Sequence, residues 1–257
     1  MMLKDKVILV TGSSTGIGRA IAERCLAEGA RVMIHGLDTA EAKASAEALS
    51  QPYFATNLSE PENAEQLMTE TIAYYGRLDG LVNNAAVVTR SNLETTNADM
   101  FDQIMAVNLR APLLLIRAAV PQFHLQGGGV VLNIGSVNAY CGQPNLLAYS
   151  ISKGGLMTLT RNLADAHSRE KIRVNQLNLG WTLSENEIKL QISEGRSADW
   201  YKNVPPVYAP SGSLFLPAQV ANHAIHWLSD ASAPVSGSIL EIEQYPIIGR
   251  NAAKDLA

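Results

Sequence analysis

Several common features are scarce or missing in this chain of 257 residues, and each absence narrows what it does. It has two cysteines, Cys25 and Cys141, too few for a disulfide framework and suited to a reducing compartment. It has no basic stripe. Lys and Arg number 20 against 24 Asp and Glu, the net charge is −4, and both signs are scattered, which excludes the footprint of a nucleic-acid binder. It has no apolar run of bilayer length; "APLLLI" is far too short to span a membrane. The opening "MMLKDKVILVTG" enters a strand pattern at once, its apolar run is shorter than a signal-peptide core, and no cleavage pattern follows. No Pro/Gly/Ser linker divides the chain. The expectation is a cytoplasmic protein with no membrane and no nucleic-acid partner, folded as one domain over residues 1–257.

What is present is an ordinary globular 47% of hydrophobic residues and a regular alternation. "KVILVTG", "RVMIHG", "PYFATNL", "LDGLVNNAA", "GVVLNIGS", "IRVNQLNLG" and "GSILEIE" read as strands. Helical spacing fills the gaps, including "IGRAIAERCLAEGA", "PENAEQLMTETIAYYG", one long helix at about Ala98–Gln126 disturbed at Pro112, and "LAYSISKGGLMTLTRNLADAHS". Trp181 to Leu216 reads as irregular. Strand–helix alternation implies right-handed crossovers, hence an α/β fold: a Rossmann-type doubly wound parallel sheet of about seven strands with helices on both faces. Ligands of such sheets lie beyond the carboxyl ends of the strands, where the strand order reverses.

The first strand-to-helix turn reads "TGSSTGIG", with Gly12, Gly16 and Gly18. Glycines there let the chain turn tightly and approach a pyrophosphate, and the following helix offers free N–H groups. "AYSISKGG" sets Tyr149 and Lys153 four residues apart, on one face of a helix. An ammonium there favours the phenolate and lowers the tyrosine pKa. The five histidines show no metal-ligand spacing except His223 and His226, which read as solvated or packed, so no metal is expected.

"TGSSTGIG", "NNAA" at Asn83–Ala86, Asn108, Ser136 and "YSISK" together resemble the short-chain dehydrogenase/reductase family, in its compact single-domain branch. The resemblance runs in order over nearly the whole chain. It implies hydride transfer between NAD or NADP and a secondary alcohol or ketone. It implies a catalytic set of Asn108, Ser136, Tyr149 and Lys153, with Ser136 and Tyr149 on the substrate oxygen. Lys153 then meets the nicotinamide ribose and Asn108 holds a proton-relay water. Cofactor contacts are implied at Gly12, Ser14, Thr15, Gly16, Ile17, Gly18, Gly36, Leu37, Asn57, Leu58, Asn84, Ala85, Tyr149, Lys153, Gly180, Thr182 and Ser184.

The chain departs from the family pattern in places. Ala86 stands where glycine is common. Asn57 stands for an aspartate and is expected to accept from the adenine amino group. Leu179 replaces a proline, which leaves the backbone facing the nicotinamide less fixed. Thr182 is expected to use its backbone, and Ser184 its hydroxyl, on the carboxamide. The end of the second strand has Gly36 in the place of an acidic ribose ligand and Leu37 in the place of a phosphate-clamping arginine, with Asp38 next and Thr15 at the other position where a basic residue occurs. His35 greets a phosphate only when protonated. NAD is therefore expected to be weakly preferred.

For the substrate, Ser136, Tyr149, Cys141, Trp181 and Glu185 are the expected contacts. The aromatic and carboxylate content of residues 181–216 suits a small polar, sugar- or polyol-like molecule. A 3-oxoacyl-carrier-protein reductase is the alternative, though "HLQGGG" lacks the basic landing patch it wants and only Arg169 and Lys171 remain. A non-catalytic nucleotide sensor has no need of the complete catalytic set, and a Rossmann methyltransferase leaves Tyr149 and Lys153 unexplained. Family members are usually homotetramers built on the two long helices, and a homotetramer is expected.

Overall fold

A computed structural model describes residues 1–248; the last nine residues of the expected domain lie outside the described residues. Seven strands form one parallel sheet in the order β3-β2-β1-β4-β5-β6-β7. They are β1 (Val7–Val10), β2 (Arg31–Gly36), β3 (Tyr53–Ala55), β4 (Gly80–Asn83), β5 (Gly129–Ser136), β6 (Ile172–Leu179) and β7 (Ile239–Ile242). Strand side chains alternate in direction, and both faces are apolar. In β1, Ile8 and Val10 face one core while Val7 and Leu9 face the other.

The first core is closed by α1 (Gly16–Ala27), α2 (Thr39–Leu49) and α9 (Pro217–Leu228), through Ile21, Ala22 and Cys25, Ala46, and Val220 to Leu228. The second is closed by α3 (Pro61–Tyr75), α5 (Ala111–Leu125) and α7 (Leu147–Ala166), through Leu67, Met68, Leu115, Phe123 and Ala164. Each such buried branched or aromatic side chain contributes about 1.5–3 kcal/mol. After β3 the chain crosses back over β1 to lay down β4. The order reverses between β1 and β4, and the ligand edge lies there.

The long helix of the sequence reading is three pieces. α4 (Ala98–Met105) runs into a π-helical segment, Ala106–Arg110, which runs into α5. The disturbance falls one turn before Pro112. Proline has no N–H for the carbonyl four residues back, so the helix widens and the Ala111 N–H reaches the Ala106 carbonyl, five residues away. The span Ala98–Leu125 is long and apolar enough to cross a membrane by length and composition, but half of its apolar 18-residue stretch is buried within the fold.

Two further helices lie where loops were expected. α6 (Asn138–Cys141) follows β5, and α8 (Glu185–Ser193) occupies the start of the supposedly irregular segment. α8 escaped periodicity because its apolar residues, Ile188, Leu190 and Ile192, alternate as in a strand. Its start is fixed instead by Ser184, whose hydroxyl accepts from the Glu187 N–H at 3.1 Å.

Candidate active site

A cleft of about 1120 Å³ runs along the carboxyl ends of β1, β2, β4, β5 and β6. Its floor is the glycine-rich turn. Gly12 and Gly16 have φ of +63° and +57°, in the left-handed region. A Cβ on Gly18 would lie 2.2 Å from the Gly12 carbonyl, so helix, turn and strand meet only because that atom is missing. Asn84 donates from Nδ2 to the Thr11 and Gly12 carbonyls at 2.9 and 3.1 Å, and the Thr11 hydroxyl accepts from the Asn84 and Ala85 N–H groups. Thr15, at the N-cap of α1, makes no side-chain cap bond, so the first-turn N–H groups face the cleft. This floor fits a pyrophosphate. Ser14, Thr15, Gly16 and Ile17 line it, while Gly18 supports it from below.

The turn is held from the side by a residue whose role was misread. His35 is buried and accepts from the Gly12 N–H at Nδ1, 3.0 Å, with Nε2 3.2 Å from the Thr56 carbonyl. Those partners require the neutral Nε2–H tautomer. Burial pushes its pKa down to about 4. It is thus spent on the fold and does not meet a phosphate in either form.

At the adenosine end the cleft is lined by Gly36, Leu37, Asp38, Glu41, Asn57 and Leu58. Asp38 caps α2, accepting from the Glu41 N–H at 2.8 Å. Asn57 lines this end, and its amide oxygen also accepts from the Ser59 N–H at 3.0 Å. The basic residues lining the cleft among the described residues, Arg90, Lys153 and Arg196, sit with the catalytic residues and the lid.

At the other end, Ser136 closes β5 opposite Leu179, and Tyr149 lies in the first turn of α7. The half-buried Tyr149 ring lines the cleft, and Ser136 lies close enough to its phenol to favour the phenolate. Lys153 is buried, donates from Nζ to the Ile134 carbonyl at 2.7 Å, and stands 5.6 Å from the Tyr149 ring centroid. Burial pushes the Lys153 pKa down to about 8. It pushes Tyr149 up to about 12, opposed by the Ser136 hydrogen bond and helped by the Glu187 charge. In the chain without its cofactor, desolvation sets the direction of the tyrosine shift, upward.

Asn108 sits in the π segment, fully buried. Its Oδ1 accepts from the Val87 N–H at 2.8 Å; its Nδ2 donates to the Val87 carbonyl and to Ser152 Oγ at 2.9 and 3.1 Å. Ser152 in turn donates to the Tyr149 carbonyl at 2.6 Å. The side chain ties the loop after β4 to the helix carrying Tyr149, and Pro112 offers no N–H to the Asn108 carbonyl.

Leu179 does not loosen its neighbourhood. It pairs with Ser136 on one side and Ile242 on the other, and Gly180 N–H donates to the Ile242 carbonyl at 2.8 Å. The ladder supplies the constraint that proline would have given. Thr182 is buried and lines the cleft, donating to the Gly180 carbonyl at 3.2 Å; Ser184 also lines it, with the accepting side of its hydroxyl used on α8.

Over the cleft, residues 181–216 form a packed lid. Trp181 stacks on buried Trp200 at 5.3 Å, and Arg196 lies over both indoles at 5.7 and 5.3 Å. Glu187 Oε1 accepts from Trp181 Nε1 and Gln191 Nε2, both at 2.8 Å, and Arg90 pairs with Glu194 at 2.8 Å. Trp181 lines the cleft as expected. Glu185 is exposed and does not; Glu187, one helical step on, takes its place. Cys141 is exposed and outside the cleft, because α6 ends there and the residues after it, Gly142 to Leu146, form the lining. Sequence reasoning also missed Arg90 and Gln191, which lie in a loop and an unpredicted helix.

The short chain dehydrogenase family profile matches residues 6–194. "Short chain dehydrogenase ausX" of Penicillium brasilianum is 32% identical, covering 94% of this chain and 96% of its own. Among solved structures, levodione reductase superposes with a TM-score of 0.84 at 29% identity, over 94% of this chain and 97% of its own. A 3-ketoacyl-(acyl-carrier-protein) reductase from Brucella melitensis, solved with NADH, gives 0.83 at 27% identity, over 94% and 98%. With the fold, the glycine-rich floor and the Ser136–Tyr149–Lys153 cluster in place, these matches establish that the chain belongs to the short-chain dehydrogenase/reductase family, oxidoreductases of alcohol and ketone groups that use NAD(H) or NADP(H).

Proposed function

We propose that the protein reduces the ketone of a small polar substrate at the expense of a reduced nicotinamide, with Tyr149 as the proton donor. The observation that carries this reading is the convergence of Ser136, the half-buried Tyr149 and the buried Lys153 at the end of a cleft whose floor fits a dinucleotide. The cofactor supplies the hydride when bound. Ser136 donates a hydrogen bond to the substrate oxygen and holds it against the phenol. Tyr149, with its pKa pushed to about 12, is protonated at neutral pH and gives its proton to that oxygen as negative charge develops there. Lys153, pushed to about 8, is still mostly an ammonium at pH 7; it meets the ribose and stabilises the phenolate left behind. Asn108 keeps the loop after β4 and the Tyr149 backbone in register.

The lid and the loops facing it support a polar substrate: Glu187 and Gln191 of the lid, with Arg90 and Asn145 across from it, present carboxylate, amide and guanidinium groups to the cleft. Asp38 and Glu41 support NAD over NADP. In this reading residues 1–257 act as one domain with 181–216 covering the substrate, in a cytoplasmic homotetramer. A carrier-protein substrate has less support. Arg169 and Lys171 precede β6, at the end of the sheet opposite the cleft. The test is loss of reduced-nicotinamide absorbance on mixing the protein with panels of sugar ketones, diketones and keto acids, with an acyl-carrier-protein substrate alongside. Turnover of the last alone would overturn the substrate class.

A further inference from the structure

At the edge of the sheet opposite the cleft, three side chains distant from the catalytic cluster converge. His124 lies in the last turn of α5, His167 is the C-cap of α7, and Glu170 closes the short 3-10 turn that follows. Glu170 Oε2 lies 2.6 Å from both His124 Nε2 and His167 Nδ1. The ligating atoms of all three lie within 4.8 Å of one another. β5 alone, eight residues long, separates this spot from Ser136 by roughly 26 Å.

We propose that His124, His167 and Glu170 form a binding site for a divalent transition metal, of the zinc class. Two imidazole nitrogens and one carboxylate oxygen are the three-protein-ligand set of a zinc site with an open position for water, and imidazole selects Zn²⁺, Ni²⁺ or Cu²⁺ over Mg²⁺ or Ca²⁺. With both histidines neutral, the geometry places an N–H of each on the same carboxylate oxygen. On metal binding each imidazole takes the tautomer with its proton on the other ring nitrogen, so His124 Nε2 and His167 Nδ1 present lone pairs and ligate with the Glu170 carboxylate. Metal–ligand bonds of about 2.0–2.1 Å in a tetrahedron set the ligand atoms roughly 3.3 Å apart, so Glu170 withdraws by less than about 1 Å while the two imidazole nitrogens, within 4.8 Å, close by up to about 1.5 Å.

A second feature points to a cation independently of the ligand set. The carboxyl ends of two long helices, α5 and α7, meet here, and the negative ends of both helix dipoles face the same spot. His124, His167 and Glu170 retain side-chain exposures of 47, 22 and 38%, which leaves room for water to complete the coordination sphere. Arg169 and Lys171 flank Glu170 in the chain and oppose a cation. The balance points to a dissociation constant in the micromolar range rather than a permanent structural metal. Bound there, the metal would cross-link the ends of the helices that carry Pro112 and the Tyr149–Lys153 pair.

The test uses full-length protein without a histidine tag, stripped with a chelator and titrated at pH 7.5 with Zn²⁺ by calorimetry and with Co²⁺ by visible absorption. One equivalent per chain, a tetrahedral Co²⁺ spectrum and a raised Tm with Zn²⁺ are expected. His124→Ala and His167→Ala should each weaken binding by about tenfold or more, a loss of about 1.4 kcal/mol. His223→Ala, at the exposed pair on α9, should bind as wild type does, and circular dichroism confirms that each variant is folded. Absence of saturable binding up to 1 mM Zn²⁺ would overturn the site, as would binding retained by folded His124→Ala and His167→Ala or abolished in His223→Ala.

Discussion

The Gly12 N–H donates to Nδ1 of His35 at 3.0 Å, so the first residue of the cofactor floor is anchored by a side chain from the neighbouring strand. The bond exists only while His35 is neutral. Its folded pKa, pushed to about 4, lies below the ordinary histidine value. Between pH 6.5 and 4 the unfolded chain therefore holds more protons at this residue than the folded one. The stabilisation is complete above about pH 6.5 and is lost as pH falls towards 4, by an amount on the order of 3 kcal/mol. Urea unfolding followed from pH 7 to 4.5 should show this slope in the wild type. His35→Phe should flatten that part of it and weaken cofactor binding; an unchanged slope in the variant would show that other groups carry it.

Tyr149→Phe should lose at least about 100-fold in kcat, the low end for removing a general acid. Cofactor affinity should change little, because the ring still packs. Lys153→Ala should weaken both, since its ammonium serves the phenol and the ribose. Stopped-flow turnover with fluorescence titration of the reduced cofactor separates these effects. Near-normal kcat in Tyr149→Phe would remove the tyrosine from the mechanism.

The two pKa shifts also predict a pH profile. Reduction should be level through neutral pH, where Tyr149 is protonated and Lys153 charged, and should decline above about pH 8 as Lys153 loses its proton. Oxidation of the corresponding alcohol needs the phenolate and should rise over the same range. Initial rates in both directions across pH 6 to 10 check this, and a reduction rate that rises through pH 8 would contradict the donor assignment.

The parallel sheet and the grouping of Ser136, Tyr149 and Lys153 at its ligand edge were legible because their signals are local: β-branched runs between helical periods, glycines in a turn, and a Tyr and a Lys one helical turn apart. What was not legible depends on contacts between distant segments. Nothing near Tyr149 in the chain announces that burial raises its pKa. The tie between His35 and Gly12 needs two strands paired in register. The helix within the lid was hidden because Ile188, Leu190 and Ile192 follow a strand period, so only the Ser184 cap marks α8. Leu179 looked like a loosened backbone until β7 was seen beside it. The convergence of His124, His167 and Glu170 joins two helix ends far apart in sequence, so no local spacing announces it.

Assembly follows from what the long helices leave uncovered. Leu113 on α5 and Ile151 on α7 are 43 and 45% exposed, and both helices already have one face on the sheet. A second apolar face on a packed helix suits burial against another copy. Light scattering at micromolar concentration should give a tetramer, and the Leu113→Glu, Ile151→Glu double variant should give a smaller species with a lower Tm. A monomeric wild type would refute this.

Cofactor choice is the sharpest remaining consequence of the sequence. The second strand ends at Gly36 and Leu37, with neither an acidic ribose ligand nor an arginine. Leu37 is 71% exposed and lines the adenosine end of the cleft beside Asp38 and Glu41. His35, the other residue near enough to meet a phosphate, is buried and neutral. A 2′-phosphate dianion there would face two carboxylates with no charge-assisted partner. NAD should therefore be preferred by roughly tenfold in kcat/KM, or about 1.4 kcal/mol. Leu37→Arg supplies a planar guanidinium on an exposed side chain, without disturbing the core, and should raise kcat/KM for NADPH by about tenfold or more while leaving NADH nearly unchanged. Steady-state kinetics of wild type and variant with both reduced cofactors decide the matter. If the wild type already favours NADPH, a basic residue outside this end of the cleft reaches the phosphate, and the acidic pair does not govern selection.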